Sequence, residues 1–500
     1  MMNTKTKRLL CALLAALLLS SCGTATQKDT ADPGTETGGT TETAETQPAE
    51  TEPAAPEIEA VNCNGEDYDI LAREPIAGNY IFQFAELQGD LEGDSVDQAT
   101  WERNQIIEGK YNLKLNPIYV DFLSMYDAIN QVVTADSDDY DLVMPMMDAG
   151  IKAGVNGLLM DMSTVPHIDI SKPWWFGTIA DDTSITGRNF FYASDINVSI
   201  LDGVGAIFFN KDMTSNYQLD NPYTLVTDGK WTYDKFYSMA DAVADDTNGD
   251  GAESFEDITG LSISTFAWGP LFYGTGTKVI SKDKDGMLSM DLSNERTINI
   301  LQNLVTYLNS DYVYIVNQHP DQLQGYSLAD ATLQRFMQGR ALFWLEIMYG
   351  MAPLRDMEDE FGVLPLPKYE EADSYATYVH VGHTSISAIP KTNDNLDLAG
   401  RILEDMAYQS SLSVRPAYYD VNLQSRNARD EESRVMLDMM YEGFRIDLAV
   451  PLSGSGCSID GTMREQVQNN NTDIVSVFTA KKPEFEANLA AVMEAVKANP

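Results

Sequence analysis

Two periodicities of hydrophobic and polar positions alternate along most of the chain. Short apolar runs rich in β-branched and aromatic residues are typical of strands, whereas apolar positions three or four residues apart are typical of helices. We predict strands over residues 79–86, 113–120, 140–146, 205–210, 261–264, 341–346, 361–367 and 384–390. We predict helices over residues 98–111, 122–135, 150–157, 231–244, 295–310, 395–410, 430–444 and 483–498.

The order of these elements predicts an α/β fold. A strand–helix–strand–helix–strand succession in the first part of the body favours a parallel sheet with right-handed crossovers. Ligands of such sheets bind beyond the carboxyl ends of the strands. Glu86 and Asp148 follow two of the predicted strands and are therefore candidate site residues.

An uninterrupted apolar run near the N-terminus, Leu9–Leu19, indicates a targeting segment. It follows a short basic start and is too short to span a bilayer, which is typical of a signal peptide. Leu19-Ser20-Ser21-Cys22 comes next and resembles a bacterial lipobox. We predict a lipoprotein signal peptide over 1–21 and a lipid anchor (diacyl, with palmitate) on Cys22, at the extracellular face of the cell membrane. The alternative is an ordinary signal peptide, with Cys22 incidental.

The charge of the chain is strongly acidic. Its 500 residues contain 76 Asp and Glu against 33 Lys and Arg, a net charge of −43. Such a surface repels phosphate backbones, which excludes nucleic acid as a partner, and it argues against polybasic attachment to lipid. Residues 22–65 are rich in Thr, Pro and Glu, and this composition predicts a disordered acidic tether.

Residues 246–257, with the sequence DTNGDGAESFED, are typical of a calcium-binding loop. Oxygen ligands at alternating positions with a glycine at the sharp turn can surround one hard cation. The last position is Asp where Glu is usual, and the alternative is an acidic turn that binds nothing. The predicted ligands of a structural Ca²⁺ are Asp246, Asn248, Asp250, the backbone carbonyl of Ala252, Ser254 and Asp257.

Other chemical motifs are weak. His380 and His383 would lie on opposite faces of a strand, so a zinc site is disfavoured. Cys63 and Cys457 could form one disulfide, but the sequence does not fix the distance between them. The chain has no G-x-S-x-G elbow and no P-loop, and we predict that it is not an enzyme.

Aromatic residues near predicted strand ends are candidates for stacking on a sugar ring, with core packing as the alternative. Trp268 is the strongest, because Gly269-Pro270 ends its segment in a loop. Glu346 and Tyr349 follow directly after a predicted strand. Trp174-Trp175 can instead serve only to pack the body of the protein.

Several segments, in this order, resemble landmarks of the extracellular solute-binding proteins of family 1, the maltose-binding-protein-like lipoproteins of ABC importers. They are DYDLVMPMMDAG (139–150), GAIFFNKDM (205–213), STFAWGP (264–270), GRALFWLE (339–346) and FGVLPLPK (361–368). The resemblance implies a two-lobe, periplasmic-binding-protein-like fold of type II. Three crossovers near 192–198, 367–378 and 416–424 would join lobe 1 (66–193 plus 375–418) to lobe 2 (194–370 plus 421–500).

The same resemblance implies positions for a ligand clamped between the lobes. Asp148 matches a sugar-binding acid, Phe266 and Trp268 match aromatic positions, and Glu346 to Tyr349 match a loop that bears another stacking aromatic. This chain lacks Trp in that loop, so maltose itself is not supported. The full predicted ligand-binding set is Glu86, Asp148, Phe266, Trp268, Glu346, Tyr349 and His383.

The function that the resemblance implies is capture of an extracellular carbohydrate, an oligosaccharide being the expected form, and its delivery to the transmembrane subunits of an ABC permease. The protein would be a monomer. Two alternatives stay open, a lipid-anchored glycan-active enzyme and a ligand sensor for a membrane receptor kinase.

Overall fold

Two β-sheets of three and five strands organise the part of the chain that the computed structural model describes, residues 53–75, 86–423 and 431–499. The strands are β1 (Glu66–Arg73), β2 (Leu113–Val120), β3 (Leu142–Met144), β4 (Gly205–Asn210), β5 (Thr259–Ile263), β6 (Ile280–Lys282), β7 (Leu288–Met290), β8 (Val313–Ile315), β9 (Ala341–Ile347), β10 (Phe361–Leu364), β11 (Thr377–Tyr378) and β12 (Phe444–Arg445). The α-helices are α1 (Ser95–Tyr111), α2 (Met125–Thr134), α3 (Met147–Val155), α4 (Gly177–Thr183), α5 (Ser199–Asp202), α6 (Lys211–Asn216), α7 (Pro222–Thr227), α8 (Tyr233–Asp241), α9 (Trp268–Tyr273), α10 (Glu295–Leu308), α11 (Leu328–Met337), α12 (Leu396–Leu412), α13 (Val414–Leu423), α14 (Glu431–Glu442), α15 (Asp460–Gln468) and α16 (Ile474–Ala498).

The smaller sheet is fully parallel, with the order β2-β1-β3. Its central strand β1 was not predicted, although its second half is buried on both faces, with Tyr68 and Ile70 on one face and Leu71 on the other. Helix α1 connects β1 and β2, and the side chain of Asp94 caps its first turn by accepting from the Val96 and Asp97 amides. The predicted parallel sheet is therefore confirmed. Its first described strand is β1, which precedes the predicted strand 79–86 in the chain.

The larger sheet is mixed and has the order β10-β4-β9-β5-β8. Strands β9, β5 and β8 run parallel, while β4 is antiparallel to both β10 and β9. All six residues of β4 are buried, which matches its continuous apolar sequence GAIFFN. Helix α10 covers this part of the core with Ile300, Leu301 and Leu304, which lie on one helical face.

One predicted strand, 384–390, is wrong as a continuous element. Its residues instead form isolated bridges to separate segments, with Ser385 paired to Met146, Ser387 to Tyr192 and Ala388 to Val143. Because the pairing switches from the 143–146 segment to Tyr192 and back, no continuous ladder with one neighbour develops.

Several predictions lie outside the described residues: the signal peptide 1–21, Cys22, the tether up to residue 52 and most of the strand 79–86. Residues Glu52–Pro500 group into one compact unit by their contacts. The proposed lobe boundaries stay predictions. No helix in the described part of the chain combines the length and the hydropathy needed to span a lipid bilayer.

Candidate functional site

A cavity of about 470 Å³ lies where several distant segments meet. Helix α3 contributes Asp148, the end of strand β9 contributes Glu346, and helix α15 contributes Asp460 and Arg464. The wall also includes Ser264, residues 266–270, Tyr273, Tyr378, residues 380–383 and side chains of α11. Five predicted site residues line this cavity, namely Asp148, Phe266, Trp268, Glu346 and His383.

The aromatic wall follows directly from the end of β5. Ser264 terminates the strand and caps a short 3₁₀ turn that leads into α9. Phe266 on this turn is 52% exposed, whereas Trp268 is buried and donates its indole N–H to Asp460 Oδ1 at 2.9 Å. The Arg464 guanidinium lies 3.5 Å from the centroid of the Phe266 ring and forms an ion pair with Asp460. One aromatic ring is thus accessible and a second is fixed behind it.

Two carboxylates, half-buried Glu346 and exposed Asp148, face the cavity. Glu346 Oε1 accepts from the Ile347 amide at 2.9 Å, and Asp148 Oδ1 accepts from the Ala149 amide at 2.7 Å. Desolvation raises the pKa of both groups, that of Glu346 to about 7. Neither carboxylate forms an ion pair within the described residues.

His380 and His383 stack on each other, with ring centroids 4.1 Å apart. The prediction that they occupy opposite faces of a strand is wrong, because the chain turns here and the His383 amide donates to the carbonyl of His380. Burial lowers the pKa of both rings, that of His383 to about 3, so both are neutral at pH 7. Neutral imidazoles can each donate and accept a hydrogen bond.

Two predicted site residues lie beside or away from the cavity. The Tyr349 ring packs edge-on against His383 at a centroid distance of 6.1 Å, just behind the wall. Glu86 lies elsewhere, where its carboxylate accepts from the Ser199 amide at 2.9 Å and from Ser385 Oγ at 2.5 Å. Those bonds give Glu86 a bridging role in the buried core.

Sequence reasoning missed several wall residues. Tyr273, Tyr378 and His380 carry no local signal that separates them from core aromatics, and Asp460 and Arg464 lie on a helix that was not predicted. The hydroxyl of Tyr273 is buried without a hydrogen-bond partner. Tyr273 lies on the same helix as Trp268, whereas only the tertiary fold brings Tyr378, His380, Asp460 and Arg464 to the cavity.

The predicted calcium loop precedes β5, and its side chains cap its own backbone. Asp246 accepts from the amides of Gly249 and Gly251 at 2.7 Å each, and Gly251 adopts the left-handed φ of +74° that the turn requires. Asp257 accepts from the Ser254 amide at 2.8 Å. Across the described ranges, no three His, Cys, Asp or Glu side chains are arranged to hold a metal ion.

Cys63 and Cys457 are both free thiols. The disulfide that the sequence left open is therefore not formed in this structure.

No protein-family model and no curated protein sequence matches the chain. Its fold is similar to many solved structures. One is a cyclo/maltodextrin-binding protein complexed with maltotetraose, with 13% identity and a TM-score of 0.52 over 86% of this chain and 96% of that one. Another is the ABC substrate-binding protein Lmo0181 from Listeria monocytogenes in complex with cycloalternan, with 12% identity and a TM-score of 0.51 over 87% and 98%.

A third is UspC of M. tuberculosis, with 16% identity and a TM-score of 0.56 over 86% of this chain and all of that one. At these identities the likeness shows the fold. The α/β, periplasmic-binding-protein-like fold that the sequence predicted is confirmed.

Proposed function

We propose that this protein is the substrate-binding component of an ABC importer and that it captures an extracellular carbohydrate, an oligosaccharide being the expected form. The observation that carries this proposal is a cavity that combines aromatic faces with two carboxylates, half-buried Glu346 and exposed Asp148. Flat π-systems stack on the apolar face of a pyranose, and carboxylates accept hydrogen bonds from its hydroxyls. The structures with this fold that hold maltotetraose or cycloalternan support the same ligand class.

The proposed action is binding without chemical change. A ligand that contacts both walls of the cavity stabilises the closed arrangement more than the open one, and its differential affinity shifts the population. The closed form then docks on the transmembrane subunits of a permease. We further propose that the monomeric protein is held at the extracellular face of the cell membrane by lipid on Cys22, which membrane fractionation of a Cys22→Ala variant tests.

Replacing Phe266 with alanine tests the carbohydrate site without disturbing the core, because this ring is about half exposed. A screen of mono- and oligosaccharides by thermal shift first identifies ligands, and calorimetry then measures affinity. We expect Phe266→Ala to weaken binding about tenfold, which corresponds to about 1.4 kcal/mol, with an unchanged melting temperature.

Tyr217→Ala is the matched control, since Tyr217 is 39% exposed and does not line the cavity. Equal affinities of the Phe266→Ala and wild-type proteins would contradict the site. Cleavage products of the bound glycan would contradict the binding-only mechanism.

We also propose that residues 246–257 bind a structural Ca²⁺. The loop already has the sharp glycine turn, and Asp246, Asn248 and Asp250 present side-chain oxygens along it. Coordination would require these side chains to turn from the loop amides toward the ion.

Calcium at 100 times its Kd is expected to stabilise the wild type by about 2.7 kcal/mol, and EDTA should remove this gain. Asp250→Ala should abolish the EDTA-sensitive part of the melting temperature, whereas Asp285→Ala, in an exposed loop elsewhere, should retain it. An EDTA response that persists in Asp250→Ala would refute the site.

A further inference from the structure

The negative charges of the cavity wall outnumber its positive charges. Among the described residues that line it, Arg464 is the one lysine or arginine, and its charge is engaged by Asp460 through Nε to Oδ1 at 2.9 Å and a second ion-pair contact. The two remaining acids, Glu346 and Asp148, form no ion pair in the described part of the chain, although the charge of Lys152 on the next turn of α3 acts on Asp148, and the neighbouring histidines are neutral. When both carboxylates are ionised, the wall therefore carries a formal charge of −2.

Several hydrogen-bonding groups of the wall have capacity that no protein partner uses. Each unpaired carboxylate uses one oxygen on a backbone amide and keeps further acceptor capacity. Nδ1 of His380 is buried without a hydrogen-bond partner, and the Tyr273 hydroxyl, on a side chain that is only 6% exposed, is likewise unpartnered. The carboxylates thus offer free acceptors beside two groups that can donate or accept, while the strongest donor of the wall, Arg464, is already engaged.

Glu346 is a half-buried carboxylate that forms no ion pair, and the group that complements it is a ligand that brings both positive charge and donors. An ammonium supplies three donors and no acceptor. A neutral hydroxyl carries no charge and donates only one hydrogen bond, so it complements the carboxylate less well than an ammonium does.

We propose that the preferred ligand of this cavity is an amino sugar, or an oligosaccharide containing one, whose ammonium binds between Glu346 and Asp148. This inference rests on the proposed carbohydrate-binding function and names its substrate class. The shared chemistry is an ammonium, which an acyclic polyamine also carries. The flat aromatic wall favours a ring, and the experiment separates the two sources.

Affinity for an ammonium ligand should depend on pH through Glu346. A raised carboxyl pKa means that the group is largely protonated at pH 5.5 and largely ionised at pH 7.5, so binding should weaken as the pH falls through about 7. The tyrosines and histidines near Glu346 do not produce this pH dependence. Burial raises the pKa of the tyrosines and lowers that of the histidines, so both kinds of group keep their charge state around pH 7. The titratable and charged neighbours are Asp148, Asp330, Tyr349, Tyr378, His380, His383, Asp460 and Arg464.

Titration calorimetry with matched ligands tests the proposal. The probes are glucose, glucosamine and N-acetylglucosamine, their β-1,4-linked trimers, and spermidine. At pH 7.5 we expect an amino sugar or its trimer to bind at least tenfold more tightly than the neutral and N-acetylated counterparts, and about tenfold more weakly at pH 5.5. Glu346→Gln should lose about tenfold for the amino ligand and less than twofold for a neutral one, while Glu360→Gln, at an exposed position, should change neither.

Each other outcome has a distinct meaning. Tighter binding of the neutral or N-acetylated series would overturn the inference and leave carbohydrate capture standing. Binding of spermidine with no binding of any sugar would overturn both proposals, and so would the absence of binding by every probe. The comparison among ligands on the wild-type protein decides the matter even if Glu346→Gln proves unstable.

Discussion

Arg335→Met is expected to lower the free energy of unfolding by about 3–5 kcal/mol. Arg335 lies on α11, is fully buried, and donates to the carbonyls of Ser254, Phe255 and Asp257 and to Thr259 Oγ1. Its guanidinium also lies 4.0 Å from the centroid of the Tyr314 ring. Methionine fills much of the volume but leaves these buried acceptors without donors.

Urea unfolding followed by far-UV circular dichroism measures the change. Arg335→Lys should recover part of the loss, since a lysine can reach one or two of the acceptors but lacks the planar fork. Arg355→Met, at an exposed position, is the control and should stay within about 0.5 kcal/mol of the wild type. A loss below 1 kcal/mol for Arg335→Met would show that water replaces the arginine donors.

The second large effect is expected for Glu404→Leu, at about 3–5 kcal/mol of destabilisation. Glu404 is buried on α12, and its two oxygens accept from the indole N–H groups of Trp174 at 3.0 Å and Trp175 at 2.8 Å. It also accepts from the Asp169 amide at 3.2 Å. Leucine would leave the two buried indole donors and the partly buried Asp169 amide without acceptors, while the two indoles themselves stay in the core.

Glu404→Gln separates hydrogen bonding from shape. Its carbonyl oxygen retains one strong acceptor, so we expect a smaller loss of about 1–2 kcal/mol. Glu442→Leu, at an exposed position on α14, is the surface control. If the leucine and glutamine variants lose the same stability in urea unfolding, the indole hydrogen bonds do not account for the effect.

The fold was largely predictable where hydrophobic patterns are strong. The run GAIFFN predicts β4 at its observed bounds, and LKLNPIYV does the same for β2. Strand β1 was missed because its first residues are acidic and exposed, so that its apolar face occupies only the second half. Residues 384–390 were read as a strand because local pattern does not reveal whether one neighbour or several will pair with a segment.

The site was predictable only in part. Phe266, Trp268 and Glu346 follow strand ends, which the sequence can identify, and the structure brings them into one wall. Arg464 and Asp460 oppose them from a helix nearly two hundred residues later in the chain, and no local feature encodes that apposition. Glu86 follows a predicted strand as well, but its hydrogen bonds to Ser199 and Ser385 direct it into the core.

The setting of Trp268 also provides an optical probe. It is the one tryptophan of the six that lines the cavity, and its indole N–H is held by a carboxylate next to the space that a guest would occupy. Displacement of solvent there changes the local polarity around one emitting ring, while the other five tryptophans do not line the cavity. Stopped-flow fluorescence can therefore follow the arrival and departure of a guest in real time, without a dye or tag.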